Sequence, residues 1–281
     1  MLKNLNDILP EAKSRKEAVG HFNINGQLWI ENILKAAVSE NSPVILATSD
    51  RMVDYLGGFK TIQKLVLSLI DYYNIEIPVV LHLDHGQTIE RCFEAIDAGY
   101  SSVMFDGSHE VLEKNIELTR KVVDYAHNKN VSVEAEIGTV GGNEDGVIGG
   151  INYADLNECI RLVDETGIDA LAAALGSVHG PYQGEPKLGF AEMRAISEAI
   201  SIPLVLHGAS GIPTHQIRKA IELGHAKINV NTELNLAWKA GLIDSLRNYP
   251  TVYEPKILQE LSAKNIYSVV KEKIREFKNL E

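Results

Sequence analysis

Short apolar, β-branched runs recur along the chain, with amphipathic stretches between them. In order they are AVGHFNI (18–24), PVILATS (43–49), PVVLHLD (78–84), SSVMFDG (101–107), VSVEAEIG (131–138), ALAAALGS (170–177), PLVLHG (203–208) and KINVNT (227–232). Near-continuous apolar character is what a strand needs when both faces of its sheet are covered. The stretches between them carry the helical period. TIERCFEAIDAG places apolar residues at 89, 92, 93 and 96, with Thr88 as N-cap and Gly99 as C-cap. NECIRLVDETG (157–167) and THQIRKAIELG (214–224) repeat the pattern.

Eight strand–helix units of about 30 residues predict an α/β fold, a parallel (β/α)₈ TIM barrel. An open doubly wound sheet would want a glycine-rich dinucleotide turn after its first strand, and FNINGQLWI is not one. No Pro-, Gly- or Ser-rich linker divides the chain, so residues 1–281 read as one domain. The tail after Pro250 is expected to form extra C-terminal helices that close or cross the barrel. GTVGGNEDGVIGG (138–150), with six glycines, breaks the rhythm and is expected to be a long mobile loop.

In such a barrel the chemistry sits at the C-terminal ends of the strands. Asn23, Ser49, Asp84, His85, Asp106, Glu136, His179, His207, Asn229 and Thr232 all fall there, while the opposite ends hold Pro, Ser, Ala and Lys. His85, His179 and His207 stand apart from the other six histidines: each is followed by glycine and each falls at one rim. Three neutral imidazoles with an open fourth position form the arrangement of a catalytic zinc. Glycine after each would let the backbone approach whatever the metal holds. His82 is expected to point into the barrel one layer lower. His21, His109, His127, His215 and His225 read as ordinary core or loop residues. Asp106 and Glu136 suit a second cation site, a hydrogen-bonding shell for the histidines, or plain helix caps. HGASGIP (207–213) and NVNT (229–232) lie where barrels of this type cradle a phosphate, and Ser210, Thr232 and glycines 180, 208 and 211 suit that work.

A Lewis acid, a phosphate cradle, a carboxylate beside a ligand and Glu144 on the glycine-rich loop suit carbon and proton chemistry next to the carbonyl of a phosphorylated sugar. A Schiff-base lysine is the other route, but no strand carries lysine at its C-terminal end, and Lys227 is placed at the wrong end of the eighth. A metal-dependent sugar-phosphate isomerase or epimerase would use the same groups. A sugar-phosphate sensor would not need Asp84 or Glu144. The net charge of −11, with no basic stripe, argues against a nucleic-acid surface. Cys92 and Cys159 lie in helical patterns without CxxC spacing, as reduced core thiols do. MLKNLNDILP is too acidic and broken for a signal peptide, and no apolar run approaches membrane length, so a cytoplasmic protein with no membrane partner is expected.

VLHLDHG, SVMFDGSH, VSVEAEIGTVGG, ALGSVHGPYQGEP, PLVLHGASGIP and KINVNTE together resemble the class II, metal-dependent ketose-phosphate aldolases along the whole chain. The resemblance implies a (β/α)₈ barrel, a homodimer or homotetramer. Its reaction would be reversible cleavage of a phosphorylated ketose to dihydroxyacetone phosphate and an aldehyde. It implies His85, His179 and His207 as ligands of a catalytic Zn²⁺, with Asp106 and Glu136 at a second divalent or monovalent cation. It implies Asp84 as acid/base and Glu144 as proton shuttle. Gly180, Gly208, Ala209, Ser210, Asn229, Val230, Asn231 and Thr232 would form the dihydroxyacetone phosphate site, with Asn229 near the reacting carbon. Two stretches depart from the fructose-bisphosphate enzymes: SDRMVDYLGG after strand two, and Gln183 where lysine is common. Both are similar to the branch that cleaves 6-phospho-5-dehydro-2-deoxy-D-gluconate in inositol catabolism. Its aldehyde product carries a carboxylate, which Arg51 could clamp beside Asn23 and Ser49. Fructose or tagatose 1,6-bisphosphate is the alternative substrate.

Overall fold

The computed structural model describes residues 2–144, 147–149, 152–180, 182 and 184–280, with the side chains of 143, 144 and 147–149 excepted. Eight parallel strands close a barrel: β1 (Val19–Asn23), β2 (Val44–Ser49), β3 (Val79–Gly86), β4 (Ser102–Phe105), β5 (Ser132–Ile137), β8 (Ala170–Ala173), β10 (Leu204–Leu206) and β11 (His225–Val230). β11 returns to pair with β1 in the register Val19↔Lys227 to Phe22↔Val230. All eight strands are buried throughout, as their apolar runs predict. The order is that of the TIM barrel expected above.

Helices α2 (Gln27–Ser39), α3 (Asp50–Tyr55), α4 (Phe59–Tyr72), α5 (Ile89–Ala98), α6 (Leu112–His127), α7 (Leu156–Thr166), α8 (Phe190–Ala199) and α9 (Thr214–Glu222) follow the strands. The cap signals act where the sequence puts them. Thr88 Oγ1 accepts the Arg91 N–H at 3.2 Å, and Gly99 ends α5 in the left-handed conformation.

Two expectations change. The floor of the barrel is not made by the tail. Helix α1 (Leu5–Arg15), started by a reciprocal Asn4–Asp7 capping box, packs Leu5, Ile8, Leu9 and Ala12 against Val19, Ile45, Val80, Ala170, Ala172, Val205 and Ala226 at the N-terminal ends of the strands. The tail helices α10 (Thr232–Asn248) and α11 (Pro255–Phe277) pack on each other, and α11 lies along α2 in the outer layer. Arg275 in this tail reaches Glu40 of the α2 C-cap at 3.4 Å. The glycine-rich segment is also not a featureless loop. β6 (Gly141–Glu144) and β7 (Val147–Gly149) pair antiparallel, and β6 pairs in parallel with the two-residue β9 (Val178–His179). Gly142 is required there, since a Cβ would lie 2.1 Å from the His179 carbonyl oxygen. Among the described residues no helix is long and apolar enough to cross a membrane.

Candidate active site

At the open end, His85, His179 and His207 meet, with one ligand atom from each lying within 4.8 Å of the others. How His85 gets there is not a matter of strand period. His82 and Asp84 share the inward face of β3, so an undisturbed strand would send His85 outward. Instead His85 adopts φ +50°, and the β3–β4 register shifts between Leu83 and Gly86. Such a bulge re-aims a side chain, and a left-handed non-glycine residue costs about 1–2 kcal/mol. The result is that Asp84 and His85, consecutive in sequence, both face the mouth.

The glycines behind the histidines serve packing more than ligand approach. A Cβ on Gly86 would lie 2.7 Å from the Met104 carbonyl oxygen, and one on Gly208 2.3 Å from that of Val178. Gly180 has a φ of +92°, and among the described residues nothing crowds it.

Two of the three histidines have their outward nitrogen on a carboxylate. His85 Nδ1 lies 2.7 Å from Asp106 Oδ2, and His207 Nε2 2.9 Å from Glu134 Oε1. Asp106 is held in turn by the Ser108 N–H at 3.1 Å and hydroxyl at 2.7 Å. The remaining nitrogens, His85 Nε2 and His207 Nδ1, face each other at 2.9 Å. Burial and then the neighbouring His85 and His207 charges hold His179 well below the usual imidazole range. Burial, despite the bond to Glu134, lowers His207 to about 4. His85 is the opposite case: burial alone would lower it, but Asp106, Asp84 and Glu136 outweigh that and raise it well above its ordinary value. Glu136 completes a second cluster with His85 and Asp106; burial first, then the Asp106 charge, pushes its carboxyl well up.

Asp84 is buried between two amides. Asn23 Nδ2 donates to Oδ2 at 2.9 Å, and Asn229 Nδ2 faces Oδ1 at 3.4 Å. His21 Nε2 approaches Oδ2 at 3.5 Å, so His21 is not an ordinary core residue but part of the support beneath the site. Burial would raise the Asp84 carboxyl, but His21, His85 and His207 hold it well below the carboxylate range.

Glu134 and Lys227 belong to the same layer; Glu134 was not singled out from sequence, and Lys227 was set aside there as lying at the wrong end of its strand. Lys227 is not at an end of its strand. It sits mid-β11, fully buried, with Nζ 2.9 Å from Glu134 Oε2 and 2.9 Å from Asn229 Oδ1. Burial would raise Glu134, but Lys227 and then His207 hold it well below the carboxylate range. The signal was parity: 21/23, 82/84, 134/136 and 227/229 are i, i+2 pairs, so each deep residue faces inward with its rim partner.

The rim residues divide into two groups. At one corner Ser210 Oγ accepts the Glu233 N–H at 3.3 Å, and Ala209 N–H donates to the Asn229 carbonyl at 3.2 Å. This brings the turn after β10 against the first residues of α10, where Asn231 is the N-cap and Thr232 the first helical residue; Val230, just before, is buried. Beside it a cavity of about 350 Å³ is lined by Asn23, Ser49, Arg51, Tyr55, Asn231 and Asn235, among others. Asp50 and Asp54, which flank Arg51, are bound by Arg91 at 2.8 and 2.9 Å, and this braces α3 against α5. The Glu144 side chain and Gln183 lie outside the described residues.

The model of the class II fructose-bisphosphate aldolases matches residues 3–281. The chain belongs to that family. It is therefore an aldolase, an aldehyde-lyase acting on carbon–carbon bonds, and its family is metal-dependent. It is 58% identical over 274 residues to the 6-phospho-5-dehydro-2-deoxy-D-gluconate aldolase of Bacillus licheniformis, covering 98% of this chain and 94% of that one. It is 53% identical over 277 residues to the fructose-bisphosphate aldolase of Geobacillus stearothermophilus, covering 98% and 96%. The crystal structure of the YdjI aldolase from Escherichia coli K12 superimposes with a TM-score of 0.85 at 32% identity, covering 99% and 97%.

The donor set fits a metal. Two ring nitrogens 2.9 Å apart, each with its other nitrogen on a carboxylate, are oriented as imidazole ligands of a divalent cation are. The second cluster fits a cation as well, because Glu136 Oε2 is buried without a hydrogen-bond partner among the described residues.

Proposed function

We propose that this aldolase cleaves 6-phospho-5-dehydro-2-deoxy-D-gluconate to dihydroxyacetone phosphate and malonate semialdehyde. We place it in the cytoplasm as a single-domain barrel assembled into a homodimer or homotetramer. The metal would be zinc on His85, His179 and His207, with a further cation at Asp106 and Glu136. The observation that carries the substrate is Arg51 in the rim cavity, beside Ser49 and Asn23, with α3 braced by Arg91. A planar guanidinium matches a terminal carboxylate bidentately. The relatives named for this substrate, at 58% identity, support the same reading.

What a bound cation supplies there is Lewis-acid polarisation of a substrate oxygen. The chain's own groups do the rest. Asp84, held ionised between two amide donors, takes the proton from the hydroxyl that becomes the aldehyde carbonyl as the carbon–carbon bond breaks. Glu144 returns a proton to the carbon of the three-carbon product, with Asn229 beside it. Gly180 after β9, Gly208, Ala209 and Ser210 at the turn after β10, and Asn231–Thr232 at the N-terminus of α10 hold the phosphate.

The test is a coupled assay of dihydroxyacetone phosphate release, run with zinc and again after chelation. It offers this substrate and fructose 1,6-bisphosphate side by side. Release from the first, abolished by chelator, is expected. Equal or better turnover of fructose 1,6-bisphosphate would overturn the substrate and leave Arg51 without its role.

A further inference from the structure

Beneath the rim a chain of contacts joins the two halves of the site. Asp84 Oδ1 faces Asn229 Nδ2 at 3.4 Å, and Asn229 Oδ1 faces Lys227 Nζ at 2.9 Å. Lys227 Nζ touches both Glu134 oxygens, at 3.2 and 2.9 Å. Glu134 Oε1 then meets His207 Nε2 at 2.9 Å. Lys227 and Glu134 are fully buried, so no water competes for these contacts.

Each group in the chain has a fixed polarity. An ammonium only donates and a carboxylate only accepts. The end of the Asn229 amide that faces Lys227 must therefore be oxygen, which turns the NH₂ toward Asp84. The nitrogen of His207 that faces Glu134 must carry the proton, which leaves Nδ1 bare at the centre of the histidine cluster. One strand over, His21 Nε2 lies 3.2 Å from Asn23 Oδ1, and Asn23 Nδ2 donates to Asp84. The same device is thus built twice, with a deep donor fixing which end of an amide meets the carboxylate.

We propose that Lys227 is a positioning residue that sets two orientations at once: the Asn229 amide against Asp84, and, through Glu134, the ring and tautomer of His207. This rests on the reading that His207 binds the metal and Asp84 is the acid/base. Lys227 does not itself reach the reacting atoms. It couples the proton-transfer half of the site to the metal half through the layer beneath the rim.

The alternative is that Lys227 only neutralises a buried carboxylate, and two variants separate these roles. Lys227→Met leaves Glu134 buried without its cation. Lys227→Met with Glu134→Gln removes both charges, a replacement that cores often tolerate. In zinc-loaded protein, chelator competition is expected to give a metal dissociation constant raised about 10–100-fold in Lys227→Met. In the double variant the thermal midpoint should return toward wild type. Its kcat should stay roughly tenfold or more below wild type with KM within about threefold, because nothing fixes Asn229, an effect of the size expected of misplaced catalytic groups. Wild-type metal affinity and kcat in the double variant would overturn the proposal. Nitrogen-15 NMR of the wild-type metal-free protein supplies a check independent of any variant: His207 is expected to be protonated at Nε2, and protonation at Nδ1 would overturn it. His207→Ala marks the other failure. If it leaves zinc affinity unchanged, the metal reading itself falls, whatever Lys227 does.

Discussion

The two ends of the barrel are made from the same eight strands and solve opposite problems. At the closed end Leu5, Ile8 and Leu9 of α1 meet Val19, Ile45, Val80, Val205 and three alanines in one apolar cluster. That cluster needs volume rather than direction. At the open end carboxylates, imidazoles, amides and one ammonium are buried just as deeply. Most of their polar atoms are matched donor to acceptor, because an unpaired polar group in such a place is costly; among the described residues His21 Nδ1, His82 Nε2 and Glu136 Oε2 have no hydrogen-bond partner. The floor therefore contributes stability, and the mouth spends some of it on orientation, as the left-handed His85 shows.

That contrast can be broken from either side. The largest effect belongs to the mouth: Asp84→Ala should lower kcat by about 10²–10⁴, as loss of a general acid/base does, while the protein stays folded. Dihydroxyacetone phosphate release and thermal unfolding are measured together; cleavage at near wild-type rate would remove Asp84 from the mechanism. Next comes the floor. Leu9→Ala should cost about 2–5 kcal/mol in denaturant titration. Zinc affinity and KM should hold at a temperature where the variant is folded, and a changed KM would mean that the two ends are mechanically coupled.

His225 sharpens the comparison, since it is a polar group on the wrong side. It starts β11 at the closed end, buried, with Nδ1 3.0 Å from the Ala220 carbonyl oxygen and Nε2 without a hydrogen-bond partner among the described residues. Burial lowers it to about 4 from its ordinary 6.5. Above pH 6.5 the ring is neutral in both folded and unfolded chains. As pH falls from 6.5 toward 4, the unfolded chain takes up a proton that the folded one refuses, so stability declines through that window. The loss should reach about 3 kcal/mol near pH 4. In His225→Gln the decline between pH 7 and pH 4.5 should be shallower by most of that amount; parallel declines would assign the acid sensitivity elsewhere. The smallest effect lies outside both ends: Thr88→Ala removes the α5 cap and should cost about 1 kcal/mol with no change in kcat.

The features legible in the sequence were those set locally. The apolar runs marked all eight strands, Thr88 and Gly99 marked the ends of α5, and the strand-end positions brought His85, His179 and His207 to one rim. What was not legible depends on long-range register. The turn of His85 into the mouth follows from how β3 slips against β4. The pairing of Gly142 with His179 needs two segments that are distant in sequence. Lys227 and Glu134 could have been reached through strand parity, but a charged residue in a barrel interior is credible only once its partner is known, and theirs lie 93 residues apart. The plug formed by α1 was missed for a related reason: an amphipathic first helix does not say which cavity its apolar face will fill.

The pairing of β1 with β11 has a consequence for how the molecule is made. About 200 residues separate the two strands, so at ~5–20 residues per second roughly 10–40 s pass on the ribosome before the second emerges. Until then the nascent sheet is an open ribbon with bare hydrogen-bonding groups along both margins, the form most prone to pair with a neighbouring chain. Chaperone dependence and losses to inclusion bodies should therefore track translation speed across this interval more closely than they track the stability of the finished barrel.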